Sequence, residues 1–236
     1  SANDFHKIDF LLTLGGDGTM LSAARAVEHR KTPILGIHLG ELGFLAKITT
    51  DVMFDRLDMV ADANYEIQKR MVLKGQIINK EESSTFYALN DFVIDRGKSH
   101  RLITLTLKAN DRYIADYKAD GLIIGTPTGS TAYALSAGGP IIMPKLKAMV
   151  VVPVSPHTLN LRPIVLPDDR ILEISFPNDG NDGVAFAIDG QVNQYLDQNS
   201  KIIIKKAPYD IYMIDYKDYN YFDNLQRKMG WGKRGD

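Results

Sequence analysis

The sequence of 236 residues predicts an N-terminal α/β domain followed, from about residue 70, by a mostly antiparallel β domain. Near the start, an apolar run, a glycine-rich turn, a helical stretch and a second apolar run give the order strand–helix–strand, which is typical of a parallel sheet. After residue 70, apolar and polar residues alternate with a period of two, as in strands that bury one face. With 44% hydrophobic residues, the chain can form a substantial core.

The first elements follow from their apolar runs. Residues 8–14, "IDFLLTL", predict a strand buried on both faces, and residues 20–30 favour a helix. After Pro33, "ILGIH" predicts a second buried strand, and the glycine-marked "LGELGFLAKI" predicts a loop. Residues 51–62 predict an amphipathic helix. Its apolar members are Val52, Phe54, Leu57, Met59 and Val60.

The β part is predicted from alternation and turn residues. Ile103, Leu105 and Leu107 alternate with polar residues, and "ANDR" then supplies a turn before a second alternating run. The later segments "KIIIKK" and "YDIYMIDY" are also strand-like. These patterns predict hairpins and an antiparallel sheet.

Composition excludes several classes of function. The net charge of −1 suggests neither a nucleic-acid partner nor a polybasic membrane patch, and the longest apolar runs, such as "AMVVVPV", are too short to span a bilayer. Without cysteine there is no disulfide, thiolate metal site or cysteine nucleophile. The five histidines have no metal-ligand spacing, so we predict no protein metal site. We expect a cytoplasmic protein.

The stretch "GGDGT" at 15–19 places a carboxylate among glycines where a strand meets a helix. Two interpretations are open. Asp17 could only cap the helix, because a carboxylate near a helix start is stabilised by free N–H groups and the helix dipole. Alternatively, the glycine-lined turn admits a phosphate chain, and Asp17 handles the proton or metal of a phosphoryl transfer.

A second loop, "GTPTGST" at 125–131, is dense in hydroxyl groups and precedes the short helix predicted for "AYALSA". Hydroxyl and N–H groups at a helix start form a polar pocket that tolerates anions. The alternative is that Ser130 or Thr131 merely caps this helix.

Together these stretches resemble the NAD kinase family. The long block at 120–141 is the most specific match, whereas "GGDGT" alone also resembles loops of lipid kinases and phosphofructokinases. The matching pieces are "GGDGT", "LGELGFLA", "LNDFVI", "DGLIIGTPTGSTAYALSAGGPI", "SPHTLNLRPIVLP", "DGQ" and "KDYNYF". They occur in the family's order over nearly the whole chain.

The resemblance implies transfer of the γ-phosphoryl group of ATP, or of polyphosphate, to the 2′-hydroxyl of the adenosine ribose of NAD, which gives NADP. It implies an α/β nucleotide-binding domain over 1–70 to which 208–236 return, and a sandwich-like β domain over 71–207 that binds NAD. Family members usually carry a further strand and helix before the glycine loop, and about a dozen residues precede that loop here. It also implies Mg²⁺ bound with ATP, and a homodimer or homotetramer.

The resemblance also assigns site residues. Asp17 is implied as the proton acceptor, and Asn90 and Asp91 as ligands of the nicotinamide-side ribose. Asp120 and Lys118 are implied near the nicotinamide. The other implied contacts with the nucleotides are Gly15, Gly16, Gly18, Thr19, Phe44, Arg101, Thr128, Thr131, Ala132, Tyr133, Ser136 and Gln191.

Structural alternatives stay open for several of these residues. "LNDFVI" could be an Asn-Asp turn before a strand, Lys118 and Arg101 could be solvated strand residues, Tyr133 a core aromatic and Phe44 a hydrophobic plug in a loop. Two other functions also remain. A diacylglycerol- or sphingosine-type lipid kinase shares the glycine loop, and a non-catalytic NADP-binding sensor could use the same scaffold.

Overall fold

The computed structural model describes residues 8–40, 43–79, 82–177, 184–196, 199–230 and 232. The chain divides into two compact units. The first extends to Lys69 and resumes at Ile211, and the second is Arg70–Asp210.

The first unit combines parallel strands with helices, as the sequence predicted. Its elements are β1 (Leu11–Leu14), α1 (Asp17–Val27), β2 (Ile34–Ile37), α2 (Met53–Ala61), the end of β14 (Lys201–Asp215) and α4 (Tyr221–Met229). β1 pairs in parallel with β2, and Met213 of β14 pairs in parallel with Ile34 of β2. Strands of one direction need crossover helices, and α1 supplies the crossover between β1 and β2.

The prediction that the first strand is buried on both faces is wrong. Leu12 and Leu14 are 38% and 53% exposed, whereas Thr13 between them is buried. Leu12 and Leu14 alternate with Thr13 and so share one face of β1, which is open among the described residues. In the same part of the chain, β1 is also the edge strand and pairs with β2 alone. β2 lies between two strands and is buried at all four positions, which confirms the prediction for "ILGIH".

The predicted amphipathic helix is α2, with one exception on its apolar face. Its apolar side chains pack partly buried against Leu35, Ile37 and Ile214. Phe54 is 71% exposed and therefore lies outside this face. Those that pack are Val52, Met53, Leu57, Met59 and Val60.

The second unit consists mainly of antiparallel strands. Its elements are β3 (Glu66–Ile78), β4 (Ser83–Ala88), β5 (Asp91–Asp95), β6 (Ile103–Ala109), β7 (Arg112–Ala119), β8 (Gly121–Gly125), α3 (Tyr133–Ser136), β9 (Ala148–Val154), β10 (Ile164–Pro167), β11 (Leu172–Ser175), β12 (Val184–Ile188), β13 (Val192–Leu196) and the first part of β14. One set of strands has the order β14-β11-β6-β7, with β3 between β14 and β4, and the other is a six-stranded sheet ordered β10-β9-β8-β5-β12-β13.

The two sets of strands enclose one hydrophobic core, which confirms the predicted sandwich. Leu105 and Ile174 enter this core from the first set, and Phe92, Ile124 and Phe186 enter it from the six-stranded sheet. The rings of Phe92 and Phe186 stack with their centroids 5.1 Å apart. Close ring packing of this kind stabilises a sandwich beyond the burial of apolar area alone.

The turn predicted for "ANDR" joins β6 and β7. Asn110 and Asp111 have φ angles of 45° and 63°, and Ala109 pairs with Arg112 across the turn. Two-residue hairpin turns with positive φ at both positions favour Asn and Asp, because their short polar side chains tolerate this backbone. The alternation of Ile103, Leu105 and Leu107 is confirmed, since all three are buried.

Candidate functional site

Asp17 is not the N-cap residue of α1, although its carboxylate lies in the first turn of this helix, where the helix dipole favours a negative charge. The N-cap residue of α1 is Gly16, which has no side-chain capping bond, and Asp17 is the first residue of the helix proper. The amide of Gly15 donates to the carbonyl of Ile37 at 2.9 Å, which fixes the turn at the end of β2. Gly18 and Thr19 follow Asp17 in the first turn of α1.

The carboxylate of Asp17 holds the loop at 43–46. Its Oδ2 accepts the N–H of Phe44 at 2.8 Å, and its Oδ1 accepts the N–H groups of Leu45 and Ala46 at 2.9 and 3.1 Å. A side chain at Gly43 would collide with the Asp17 carboxylate, so only glycine allows this approach. The aspartate is therefore an anchor for a second loop, a role that neither sequence interpretation included.

Asn224 on α4 holds the same loop from the other direction. Its side-chain amide donates to the carbonyl of Gly43 at 3.1 Å, while its Oδ1 is buried without a hydrogen-bond partner among the described residues. Nearby, Lys47 pairs with the buried Asp215 at 3.0 Å and lies 3.8 Å from the ring centroid of Tyr219. These side chains line a cavity of about 380 Å³ in the first unit, whose lining excludes Gly15–Thr19.

In the second unit, Asn90 and Asp91 lie where β5 begins, and a residue that sequence analysis missed fixes them there. The carboxylate of Asp189 accepts the N–H groups of Leu89, Asn90 and Asp91 at 3.2, 2.7 and 3.2 Å. In return, the amide of Asp189 donates to the carbonyl of Asp91 at 3.0 Å. The signal available in the sequence was the triplet "DGQ", from which only Gln191 was selected.

Asp91 is a buried carboxyl group, with 2% of its surface exposed. Burial, and after it the negative charge of Asp189, raises the pKa of Asp91 to about 7. Both causes disfavour the charged form. Asp91 can therefore change its charge near neutral pH.

The hydroxyl-rich loop packs on the same turn. The hydroxyl and the amide of Thr126 donate to the carbonyls of Leu89 and Asn90 at 2.6 and 2.8 Å. A side chain at Gly129 would collide with the backbone of Asn90. Thr128 is buried beside Arg70, whose guanidinium lies 3.5 Å from its hydroxyl. Sequence analysis did not select Thr126, Gly129 or Arg70.

Neither Ser130 nor Thr131 caps the short helix, so that alternative is wrong. The hydroxyl of Ser130 donates to Pro127 O at 2.7 Å and accepts the amide of Ile142 at 3.0 Å, and Thr131 donates to Thr128 O at 3.3 Å. The N-cap residue of α3 is Ala132, which has no side-chain capping bond.

The exposure of α3 separates its core residue from its surface residues. Ala134 is fully buried, whereas Tyr133 is 48% exposed, which excludes the core-aromatic alternative for Tyr133. Ser136 is also exposed. Gln191 is exposed too, in the turn after β12 whose Asp189 contacts Asp91.

The structure does not bring Asp120, Lys118 and Arg101 to the end of the second unit where Asn90 and Asp91 lie. Asp91 pairs with Gly125 at one end of β8, and Asp120 precedes Gly121 at the other. Four strand intervals separate these ends by about 13 Å. Asp120 forms an ion pair with Arg96, with Nε and Oδ1 3.0 Å apart, and Lys118 and Arg101 are exposed.

Two further features are absent from the described part of the chain. It contains no group of three or more His, Cys, Asp or Glu side chains arranged to hold a metal ion. None of the described helices has the length and apolar character that a membrane span requires.

Both halves of the chain match models of one protein family. Residues 2–65 match the ATP-NAD kinase N-terminal domain, and residues 89–216 match the ATP-NAD kinase C-terminal domain. An NAD kinase of Gemmatimonas aurantiaca is 42% identical over 227 residues, which are 95% of this chain and 78% of the relative. An NAD kinase of Caldanaerobacter subterraneus is 41% identical over 230 residues, 97% of this chain and 81% of the relative.

Solved structures agree with these matches. Yeast NADH kinase complexed with NADH superimposes with a TM-score of 0.93 at 28% identity, and the match covers 100% of this chain and 70% of the yeast chain. An NAD kinase from Archaeoglobus fulgidus in complex with ATP has a TM-score of 0.77 at 25% identity, over 93% of this chain and 82% of the other. This chain belongs to the ATP-NAD kinase family.

Proposed function

We propose that this chain is an NAD kinase, which transfers the γ-phosphoryl group of ATP to the 2′-hydroxyl of the adenosine ribose of NAD and so forms NADP. The observation that carries the proposal is the family match, which covers both units and is supported by relatives about 40% identical over most of the chain. The dense "GTPTGSTAYALSAGGP" loop packed on the Asn90–Asp91 turn favours a dinucleotide over a lipid as acceptor.

Asp17 orients the ribose 2′-hydroxyl and accepts its proton in this proposal, beside the phosphate chain admitted by Gly15, Gly16 and Gly18. Among the described residues, its Oδ2 accepts the amide of Phe44 at 2.8 Å. A carboxylate oxygen has two acceptor positions, so Oδ2 can hold the loop and still receive a hydroxyl. Phosphoryl transfer depends mainly on alignment and charge stabilisation, and this geometry supplies alignment.

Asn90, Asp91 and the loop at 126–136 bind the dinucleotide. Asp91 accepts ribose hydroxyls, since a carboxylate accommodates two neighbouring donors. Tyr133 offers a half-exposed ring for stacking on the adenine. Thr128, Thr131, Ala132, Ser136 and Gln191 contribute the remaining polar and backbone contacts.

A divalent cation, Mg²⁺, accompanies the ATP phosphates in this proposal. The described residues offer no cluster of three metal ligands, which favours coordination mainly by phosphate oxygens and water, as Mg²⁺ prefers. We further propose a cytoplasmic homodimer or homotetramer, on the resemblance to the family alone.

The test is an assay of NADP formation with Mg²⁺, ATP and NAD. It is repeated with polyphosphate in place of ATP, and then with a diacylglycerol in place of NAD. We expect NADP with ATP and NAD. Phosphorylation of the lipid without NADP would identify a lipid kinase, and tight NADP binding without turnover would identify a sensor.

Replacing Asp91 with alanine should lower the affinity for NAD at pH 8 roughly tenfold or more. The change leaves ribose hydroxyls without an acceptor in a desolvated site, which costs about 1–3 kcal/mol. Titration calorimetry measures the effect, and Asp111→Asn in the exposed β6–β7 turn is the control for a lost negative charge. Unchanged affinity would mean that "LNDFVI" is only a structural turn.

A further inference from the structure

Asp189 occupies a backbone conformation that few residues adopt. Its φ is 49°, in the left-handed region that costs a residue with a Cβ atom, although Asp and Asn tolerate it better than most. Glycine would fit this backbone without strain. What glycine could not supply at this position is a side-chain carboxylate, so the contacts of the Asp189 carboxylate are the feature to explain.

The side chain joins three successive backbone amides. Oδ1 accepts from Asn90 at 2.7 Å and from Asp91 at 3.2 Å, while Oδ2 accepts from Leu89 at 3.2 Å. These amides belong to a segment 98–100 residues away in the sequence. Charge-assisted bonds of this kind are stronger than neutral ones, so they fix the direction in which Asn90 and Asp91 leave the turn.

We propose that Asp189 is a positioning residue of the dinucleotide site, which fixes the Asn90–Asp91 turn through three backbone amides and acts on the neighbouring Asp91 carboxyl group. This inference rests on the proposed function for its consequence, NAD binding. Its structural part, the control of Asp91, can be tested without any nucleotide.

Among the described residues, Asp189 is the charged group that acts on the pKa of Asp91. Across β8 the paired residue is Gly125, and β12 ends at Ile188, opposite Phe92, immediately before Asp189. The loop at 126–131 presents uncharged threonine and serine side chains, and Arg70, on β3, directs its guanidinium to the hydroxyl of Thr128. The pKa of Asp91 is accordingly raised by burial and by the charge of Asp189.

Asp189→Asn removes the charge and keeps most of the backbone contacts. Asparagine also tolerates a left-handed backbone, and its oxygen can still accept from Asn90 and Asp91, although its amide group would face the N–H of Leu89. The lost charge should lower the pH midpoint of Asp91 by roughly one unit or more. The measurement is a carbon-13 NMR titration of Asp91 in the ligand-free protein between pH 4 and pH 9, with the Asp91 signal assigned by its absence in Asp91→Asn.

NAD affinity, measured by calorimetry over the same pH range, gives the second readout. In the unmodified protein it should rise with pH through about 7, and in Asp189→Asn that rise should move to lower pH. Asp111→Asn, which removes another left-handed but exposed aspartate, should leave the midpoint unchanged. If Asp189→Asn does not fold, Asp189→Gly serves in its place, because glycine suits the backbone and removes the same charge.

Each outcome decides the inference. An Asp91 midpoint equal in the unmodified protein and in the Asp189 variant overturns it, as does a uniform loss of NAD affinity with an unchanged pH dependence, which is what a purely structural role predicts. A shifted midpoint supports it. If the midpoint shifts but NAD binds at no pH, the positioning role stands and the proposed function fails.

Discussion

Asp17→Asn should lower kcat roughly 10²–10⁴-fold, the usual contribution of a general base in proton transfer. Asparagine keeps the size of the side chain but loses the charge and the ability to accept a proton. The structure adds a second consequence. The new amide group would face the N–H of Phe44, now 2.8 Å from Oδ2, or the amides of Leu45 and Ala46. A donor against a donor leaves both unpaired, so we also expect a stability loss of about 1–3 kcal/mol.

Gly43→Ala distinguishes the chemical role of Asp17 from its role as loop anchor. The added methyl group would collide with the Asp17 carboxylate and disturb its contact with the loop at 43–46, but it keeps the negative charge and the proton-accepting group of Asp17. Steady-state kinetics and thermal unfolding of both variants provide the comparison. If Asp17 acts chemically, Asp17→Asn loses far more kcat than Gly43→Ala at a similar loss of stability. Equal losses of kcat would make Asp17 only the anchor of its loop.

Local patterns predicted much of the fold because their causes are local. The β6–β7 hairpin needs only the alternation around Leu105 and two residues, Asn110 and Asp111, that tolerate positive φ. The same reasoning failed for β1, where an apolar run was taken to mean two covered faces. Leu12 and Leu14 lie on one face of β1, and their exposure depends on what packs on that face, about which the apolar run itself carries no information.

The contacts that organise the candidate site could not be predicted from periodicity. Asp17 bonds to amides 27–29 residues away, and Asp189 bonds to amides 98–100 residues away. No pattern within one element specifies such partners. Family resemblance selected Asp17 and Asp91 but passed over Asp189, because it assigns residues by their contact with a ligand and this side chain faces the backbone.

The distance between Asp91 and Asp120 illustrates a different limit. Resemblance assigned both carboxylates to the nicotinamide half of the dinucleotide, and their positions in the sequence do not contradict that. The antiparallel pairing of β5 and β8 puts Asp91 beside Gly125 and Asp95 beside Gly121, so the whole length of β8, about 13 Å, lies between the two groups. Strand register, which decides this distance, becomes known only from the structure.

Asp91→Asn should stabilise the protein, and the gain should grow with pH. The pKa of Asp91 is raised from 3.8 to about 7 on folding, so between these values the folded state keeps a proton that the unfolded state has released. Stability therefore falls as pH rises through this window, and the penalty reaches about 4 kcal/mol above pH 7, at about 1.4 kcal/mol for each pH unit. Asparagine is neutral at every pH and avoids this penalty. Urea unfolding at pH 4.5, 6, 7 and 8 measures the difference, with Asp95→Asn at the other end of β5 as the matched control. A stability difference that does not change with pH would show that Asp91 is charged in the folded protein throughout this range.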